Sequence, residues 1–400
     1  MKPTIRAAIA LLLLAAPAAG AVEPWQFTVN NPGPVLGETP IWFQVDAAPG
    51  AYLVRPEGKG PALAAQVYKD AGKTYLAVVL PALDQGTNGF EVTQAADSAA
   101  APGVVLTDEG PNVAVTVGGK PLTEYVSNVG PKPFFFPLIG PTGAPVTRAF
   151  PMKKVAGEKL DHPHHRSLWF NHGKVNGVDF WSEMPGHGTI KETSKLTKLG
   201  GPAVGILRTT DDWIGSDGKK VCEDERVARF YNTKGARVID FDFTVKASEG
   251  PLTFGDTKEG SFGVRVASSM DVTAKQGGKI INAEGLTDDA AWGKPSAWVD
   301  YVGPVNGKTV GIAILNHPTS VRYPTTWHVR TYGLFAANPF GNREFDPKSG
   351  RSGDLVVPQG KSITFRYRVI LHAGDTTAAQ VAAANSAYAS LAIGVEKAKP

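Results

Sequence analysis

From Trp25 to about Gln94, apolar and polar residues alternate in short runs: QFTVN, IWFQVDA, AYLVRP, AQVYK, TYLAVVLPAL and GFEVTQ. Gly, Pro, Asn and Asp separate the runs. A period of two, rich in β-branched and aromatic residues and broken by turn formers, predicts strands joined by hairpins. Six such strands make a small β-sandwich module over residues 22–103, and the small-residue stretch AADSAAAPG, Ala95–Gly103, predicts a linker at its end. In the second unit, residues 104–400, VAVTVGG followed by KPLTEYV predicts a hairpin turning at Gly118-Gly119. FFFPLIGPTGAP is apolar but cut by Pro and Gly, so it reads as a strand end entering a loop.

After Gly188 the alternating runs lengthen. TIKETSKLTKLG, AVGILRTTDDWIG, KVCEDERVARFYN and ARVIDFDFTVKAS follow one another, then GSFGVRVASSMDV, SAWVDYVGPV and TVGIAILNHP. SITFRYRVILHAGD reads as the last long strand, with Phe365, Tyr367, Val369 and Leu371 on one face. Only Thr376–Leu391, alanine-rich and preceded by Asp375, has a helical pattern. No fixed-period repeat is present. Parallel α/β folds need crossover helices that this pattern lacks. The expected class is therefore all-β: a large antiparallel β-sandwich behind a small N-terminal β module, closed by a short helix.

The first residues depart from this pattern. Lys2 and Arg6 precede the apolar run Ala7–Ala16, and Ala19-Gly20-Ala21 has small residues at cleavage spacing. Residues 1–21 are thus expected to be a signal peptide cut near Ala21, placing the protein in the periplasm or outside the cell. Loss of two positive charges takes the net charge from +4 to +2, too little for an electrostatic nucleic-acid binder. No later run reaches 18 apolar residues, so no membrane-spanning segment is expected. Cys222 is the single cysteine, which forbids an internal disulfide; its acidic neighbours in KKVCEDERVARF point to a structural thiol.

The chemistry concentrates in three segments. Asp161–Trp181, DHPHHRSLWFNHGKVNGVDFW, holds four of the eight histidines. On an extended segment His162 and His164 share a face, with Pro163 stiffening it. Imidazoles so placed can bind a transition metal or act as acid and base. Arg166 is placed to hold an oxyanion. Trp169 and Trp181 offer the aromatic faces on which sugar rings stack, and His172, Asn176 and Asp179 are candidate cleft residues. The second segment, GDTKEGSFGVRV, contributes Glu259 and Arg265; the third, NHPTSVRYPTTWHVRTYGLFAANPFG, contributes His317, Arg322, His328, Arg330 and Asn338. No Walker loop, CxxC, dinucleotide fingerprint or G-x-S-x-G elbow occurs, so nucleotide cofactors and an α/β-hydrolase triad are not expected.

Together these three segments resemble a bacterial exported family named methane oxygenase PmoA-like, over about Val113–Tyr388. Methane oxidation does not carry over with the name, because the monooxygenase subunits so called are integral membrane proteins. The strand-rich layout is similar to the large sandwich of galactose mutarotase and related polysaccharide-processing enzymes. That similarity implies a histidine and a carboxylate facing a sugar in an open groove.

The expected function is an exported carbohydrate-active enzyme with no cofactor. His162, His164, His165, Glu259 and His328 would be catalytic. Arg166, Trp169, His172, Asn176, Asp179, Trp181, Arg265, His317, Arg322, Arg330 and Asn338 would bind substrate. Hydrolysis, elimination and epimerisation all stay open. Two alternatives stand beside it: an oxidoreductase holding a divalent transition metal on His162, His164 and His317, and a non-catalytic glycan-binding protein.

Overall fold

The computed structural model describes residues 23–58, 60–95 and 103–396. The expected signal peptide, and all but the ends of the expected linker, lie outside the described residues. The chain is all-β, as the alternation predicts. The N-terminal module is one seven-stranded antiparallel sheet. Its order is Thr39–Gln44, Lys73–Leu80, Leu63–Asp70, Gly50–Pro56, Gly86–Gln94, Trp25–Asn31 and Ala392–Glu396. One face of this sheet closes over Phe27, Val29, Tyr52, Val54, Leu76, Val78, Phe90 and Val92.

The last of these strands is a departure from the sequence reading, which ends the chain in a helix. The helix, Val381–Ser390, is real but short, and Ala392–Glu396 then pairs antiparallel with Trp25–Asn31. Its alternation spans only AIGVE, too short to stand out from the alanine-rich run before it.

The large domain stacks two eight-stranded antiparallel sheets. The first, here the front sheet, runs Trp327–Val329, Leu334–Ala337, Gly260–Arg265, Leu168–His172, Phe134–Phe135, Lys120–Val126, Asn112–Val117 and Val104–Glu109. The back sheet runs Thr189–Leu199, Val204–Ile214, Lys220–Tyr231, Arg237–Lys246, Ser362–Ala373, Lys308–Asn316, Trp298–Val305 and Lys279–Asn282. The expected hairpin turns at Gly118-Gly119, both at positive φ, which a two-residue turn of this hand requires. Between the sheets lies the main core. Phe365, Tyr367, Val369 and Leu371 all enter it, beside Phe170, Phe241, Phe243 and Phe262. Cys222 is buried there, and burial pushes its thiol up, away from reactivity. The outer face of the back sheet (Val204, Ile206, Val227, Ile370) packs on Tyr68 and Ala77 of the N-terminal module.

Two faces of this stack are thus covered. The outer face of the front sheet carries instead a small apolar cluster of Val126, Phe134, Trp169, Trp181, Leu334 and Ala336. It is the floor of the candidate site.

Candidate active site

Period two places the floor. Along Leu168–His172, Leu168 and Phe170 enter the main core, so Trp169 lies on the opposite face. Strand register sets Phe134 beside Trp169, Trp169 beside Gly263, Gly263 beside Ala336 and Ala336 beside His328. Gly263 is required in this row: a Cβ there would stand 2.6 Å from the Trp169 ring. The indole therefore lies flat across the sheet. On the first strand Trp327 and Val329 go to the core, which leaves His328 and then Arg330 on the outer side.

The histidine segment packs on that floor as a turn, where the sequence reading takes it as extended. The His165 N–H bonds the His162 carbonyl at 3.0 Å, and His162 takes φ 45°, a left-handed conformation that histidine tolerates better than most residues. The turn stacks four rings. Tyr332 lies 5.1 Å from His162, His162 4.8 Å from His165, and His165 5.3 Å from Trp169, each pair within 17° of parallel. His164 stands edge-on to His165 at 4.4 Å. His162 and His164 thus do not share one face in the way an extended strand would place them.

A charged layer fixes the turn. Asp161 receives Arg148 and Arg265, the latter at 2.9 Å, and both guanidinium groups are buried. Arg265 also donates to His165 Nδ1 at 3.2 Å, which places the proton of a neutral His165 on Nε2. Arg166 forms a bidentate pair with Glu183 at 2.7 and 2.6 Å. Lys132, fully buried behind it, also reaches Glu183, at 3.0 Å. Burial pushes the Lys132 amine down to about 8, against the pull of Glu183.

Above the floor opens a pocket of about 530 Å³. It is lined by His162, His164, His165, Asp179, Trp181, Glu259, His328 and Arg330 from the three expected segments. Gly173, Ser182, Thr257, Lys258 and Tyr332 complete it. The loop bearing Glu259 is held by Gly173, whose N–H bonds the Glu259 carbonyl at 2.6 Å. A Cβ on Gly173 would meet that carbonyl at 2.7 Å, so Gly173→Ala should displace Glu259 and lower activity while circular dichroism stays unchanged.

The electrostatics are uneven. Burial raises the Glu259 carboxyl above the usual range, with Lys258 opposing and the carboxylates of Glu344 and Asp179 adding to the rise. Lys258 is shared between Glu344 at 2.5 Å and Glu259 at 3.4 Å. The imidazoles go the other way. Burial pushes His164 down to about 4, with Lys132 adding to it, and His328 down to about 3. His165 falls well below its ordinary value for the same reason, with His164 and Arg265 adding to it. These three rings are therefore neutral at physiological pH. His328 donates from Nδ1 to the Lys258 carbonyl at 2.7 Å, so its Nε2 is an acceptor, buried and without a partner. Trp181 Nε1 is likewise buried without a partner, and is a donor. Asp179 accepts from the Trp181 N–H at 2.8 Å, the Ser182 N–H at 3.1 Å and the Ser182 hydroxyl.

Other expected substrate residues lie elsewhere. Arg166 and Arg265 are spent on Glu183 and Asp161, and Trp169 is floor. His172 continues the Leu168–Phe170 face inward, its Nε2–H donating to the Gly255 carbonyl (2.7 Å) and its Nδ1 accepting from the Ser261 hydroxyl (3.2 Å), against Phe340. Asn176 closes a turn through the Pro251 carbonyl and the Thr253 N–H. Arg322 caps the carbonyls of Pro339, Gly353 and Asp354, and Asn338 holds the Thr257 carbonyl at 2.9 Å. His317 follows the back-sheet strand Lys308–Asn316, so it sits on the other sheet, in a cleft with Trp42, Arg366 and Tyr388. The expected metal set of His162, His164 and His317 is consequently not assembled. Among the described residues no group of three or more His, Cys, Asp or Glu side chains is placed to hold a metal ion.

Three contributors escaped the sequence reading. Tyr332 and Lys258 each adjoin residues that were singled out, and Tyr332 is the next outward position after His328 and Arg330. Asp161 opens the first segment, and nothing local marks it as the hub of two arginines. No described helix is long and apolar enough to cross a membrane.

A family model described as "Family of unknown function (DUF6807)" matches residues 112–386. No curated protein matches the sequence. Among solved structures, the chain is similar to a protein in the glycosyl hydrolase family 38 from Enterococcus faecalis, at 13% identity and TM-score 0.40. It is also similar to an alpha-mannosidase from Enterococcus faecalis V583, at 11% identity and TM-score 0.41. These alignments cover 93% and 94% of this chain but 47% of each of the others, so the chain spans about half the length of the structures it matches.

Proposed function

The chain belongs to the family of unknown function whose model it matches, and we propose that it is a carbohydrate-active enzyme that cleaves a glycosidic bond by acid–base catalysis in the front-sheet pocket. The observation that carries this reading is the contrast between two carboxyl groups in one pocket. Glu259 is pushed towards its protonated form by burial, whereas Asp179 is pinned as an acceptor of three hydrogen bonds. Two carboxyl groups in unlike environments are the usual acid and base of glycoside hydrolysis.

In this mechanism Glu259 gives its proton to the glycosidic oxygen as the bond to the anomeric carbon breaks. Asp179 takes a proton from the water that attacks that carbon. The histidines have a different role from the acid–base one that their number suggests. Imidazoles pushed down to about 3 and 4 are poor bases and carry no proton to give near neutrality. They serve as neutral hydrogen-bonding groups: His328 Nε2 accepts from a sugar hydroxyl and His165 Nε2–H donates.

The direct test is incubation of the purified chain with a panel of oligosaccharides. One new reducing end per broken bond is expected, without the ultraviolet-absorbing double bond that elimination leaves. No cleavage across the panel would overturn the reading. His328→Ala removes an acceptor that has no other partner. It should raise KM by roughly 2- to 10-fold, the worth of one neutral hydrogen bond, and leave the pH dependence of kcat in place.

A further inference from the structure

The pocket's cationic groups are all committed except one. Arg148 and Arg265 are paired with Asp161, and Arg166 with Glu183. Lys258 is paired with Glu344. Arg330 alone has neither an ion pair nor a side-chain hydrogen bond among the described residues. Its guanidinium is held by rings, 5.7 Å from the centroid of Trp292 and 5.4 Å from that of Tyr332. These contacts take none of its charge, and its N–H edge has no partner among the described residues. A bidentate carboxylate bonds to that edge, in the plane of the group. A half-buried guanidinium with no counter-charge is the state expected of a site whose counter-charge arrives with the ligand.

We infer that the pocket takes a sugar bearing a carboxylate, a uronic acid unit, with that carboxylate on the N–H edge of Arg330. The inference rests on the reading of the pocket as a carbohydrate site. A bare carboxylate would satisfy Arg330 but not the other open groups. His328 Nε2 lacks a donor and Trp181 Nε1 lacks an acceptor, both buried in the same pocket. A ring with hydroxyl groups around it supplies both. Asp179 and Glu259, both carboxyl groups, offer a substrate carboxylate no counter-charge, which Arg330 does.

Calorimetric titration of the full chain with glucuronate and galacturonate, set against glucose, galactose and acetate, tests this without requiring turnover. The uronates are expected to bind roughly 10- to 100-fold more tightly than their neutral counterparts, the range for a charge-assisted hydrogen-bonded pair. Arg330→Gln should erase that preference, so that uronates bind no more tightly than their neutral counterparts, while Arg330→Lys keeps part of it. Equal binding of uronates and neutral sugars, a preference that survives Arg330→Gln, or acetate binding as tightly as glucuronate would each overturn the inference. The two proposals can fail separately. A uronate preference lost in Arg330→Gln, with no bond cleaved in any oligosaccharide, supports the subsite and overturns the catalytic reading. Cleavage confined to neutral oligosaccharides and unchanged in Arg330→Gln does the reverse.

Discussion

Glu259→Gln is expected to lower kcat by about 10²- to 10⁴-fold, the usual contribution of one positioned general acid, with little change in stability. Glutamine keeps the shape and the hydrogen-bonding reach of the side chain but has no proton to give. The pH profile offers a second readout with a definite sign. A proton donor works while protonated, so activity should fall as pH rises through the Glu259 pKa, which burial sets above that of an ordinary glutamate. In Glu259→Gln this falling limb should vanish from the residual rate. On the acid side the histidines impose no limb until about pH 4, because His164 and His328 stay neutral down to about that point. A bell-shaped profile with a rising limb near pH 6.5 would instead mean that an ordinary histidine is the base. A Glu259→Gln variant with undiminished kcat would remove the assignment outright.

The fold was legible because strands advertise themselves two residues at a time. SITFRYRVILHAGD could be assigned a face from its own letters, and that face is the core. AIGVE could not, because five residues beside an alanine-rich helix carry too little pattern, and what makes them a strand is an edge supplied by Trp25–Asn31 at the far end of the chain. The site was legible to the extent that its residues are unusual where they stand. His164, Glu259 and His328 are costly to place beside apolar strands without a use, and the pocket contains all three. What the letters do not carry is pairing. Arg166, Arg265 and Arg330 look alike in sequence. Only the fold shows that Glu183 and Asp161, each remote in sequence from one or another of the guanidinium groups it takes, claim the first two and leave the third open. His317 misled for a related reason: NHP at 316–318 repeats the HP of the first window, but its strand belongs to the other sheet.

The second large effect lies beneath the pocket, inside the sandwich. Asp211 and Asp224 face each other across two back-sheet strands and both point into the core, where Arg226 also points. Arg226 directs its donors to Asp224 at 2.8 to 3.2 Å, and Trp213 donates to the same carboxylate at 2.7 Å. Asp211 has Arg226 Nε at 2.9 Å, yet neither of its oxygens has a hydrogen-bond partner. Burial pushes the Asp211 carboxyl well up, Arg226 opposing and Asp224 adding to the rise. The cluster therefore holds one guanidinium, one carboxylate and one carboxyl group that favours its proton. Arg226→Met removes the only cation and leaves Asp224 buried with a charge it cannot pair. The expected loss is about 3–5 kcal/mol of stability near neutral pH, as for other broken buried pairs, read as a fall in the urea midpoint. Asp211→Asn should behave oppositely. Asp211 holds its proton in the folded state at pH values where the unfolded chain has released it. Its contribution to stability is therefore complete below about pH 4, the unfolded carboxyl value, and is lost as pH rises through the folded pKa. Asparagine cannot ionise, so the variant should match the parent at low pH and exceed it at neutral pH. The consequence reaches the pocket, because Arg226 also packs over Phe170, 5.7 Å from its ring centroid, on the strand that carries Trp169. Arg226→Met should thus lose activity at a lower temperature than the parent while its kcat below that temperature is retained. If Arg226→Met is as stable as the parent, or if Asp211→Asn is the more damaging of the two, the charge arrangement of this cluster is not the one described.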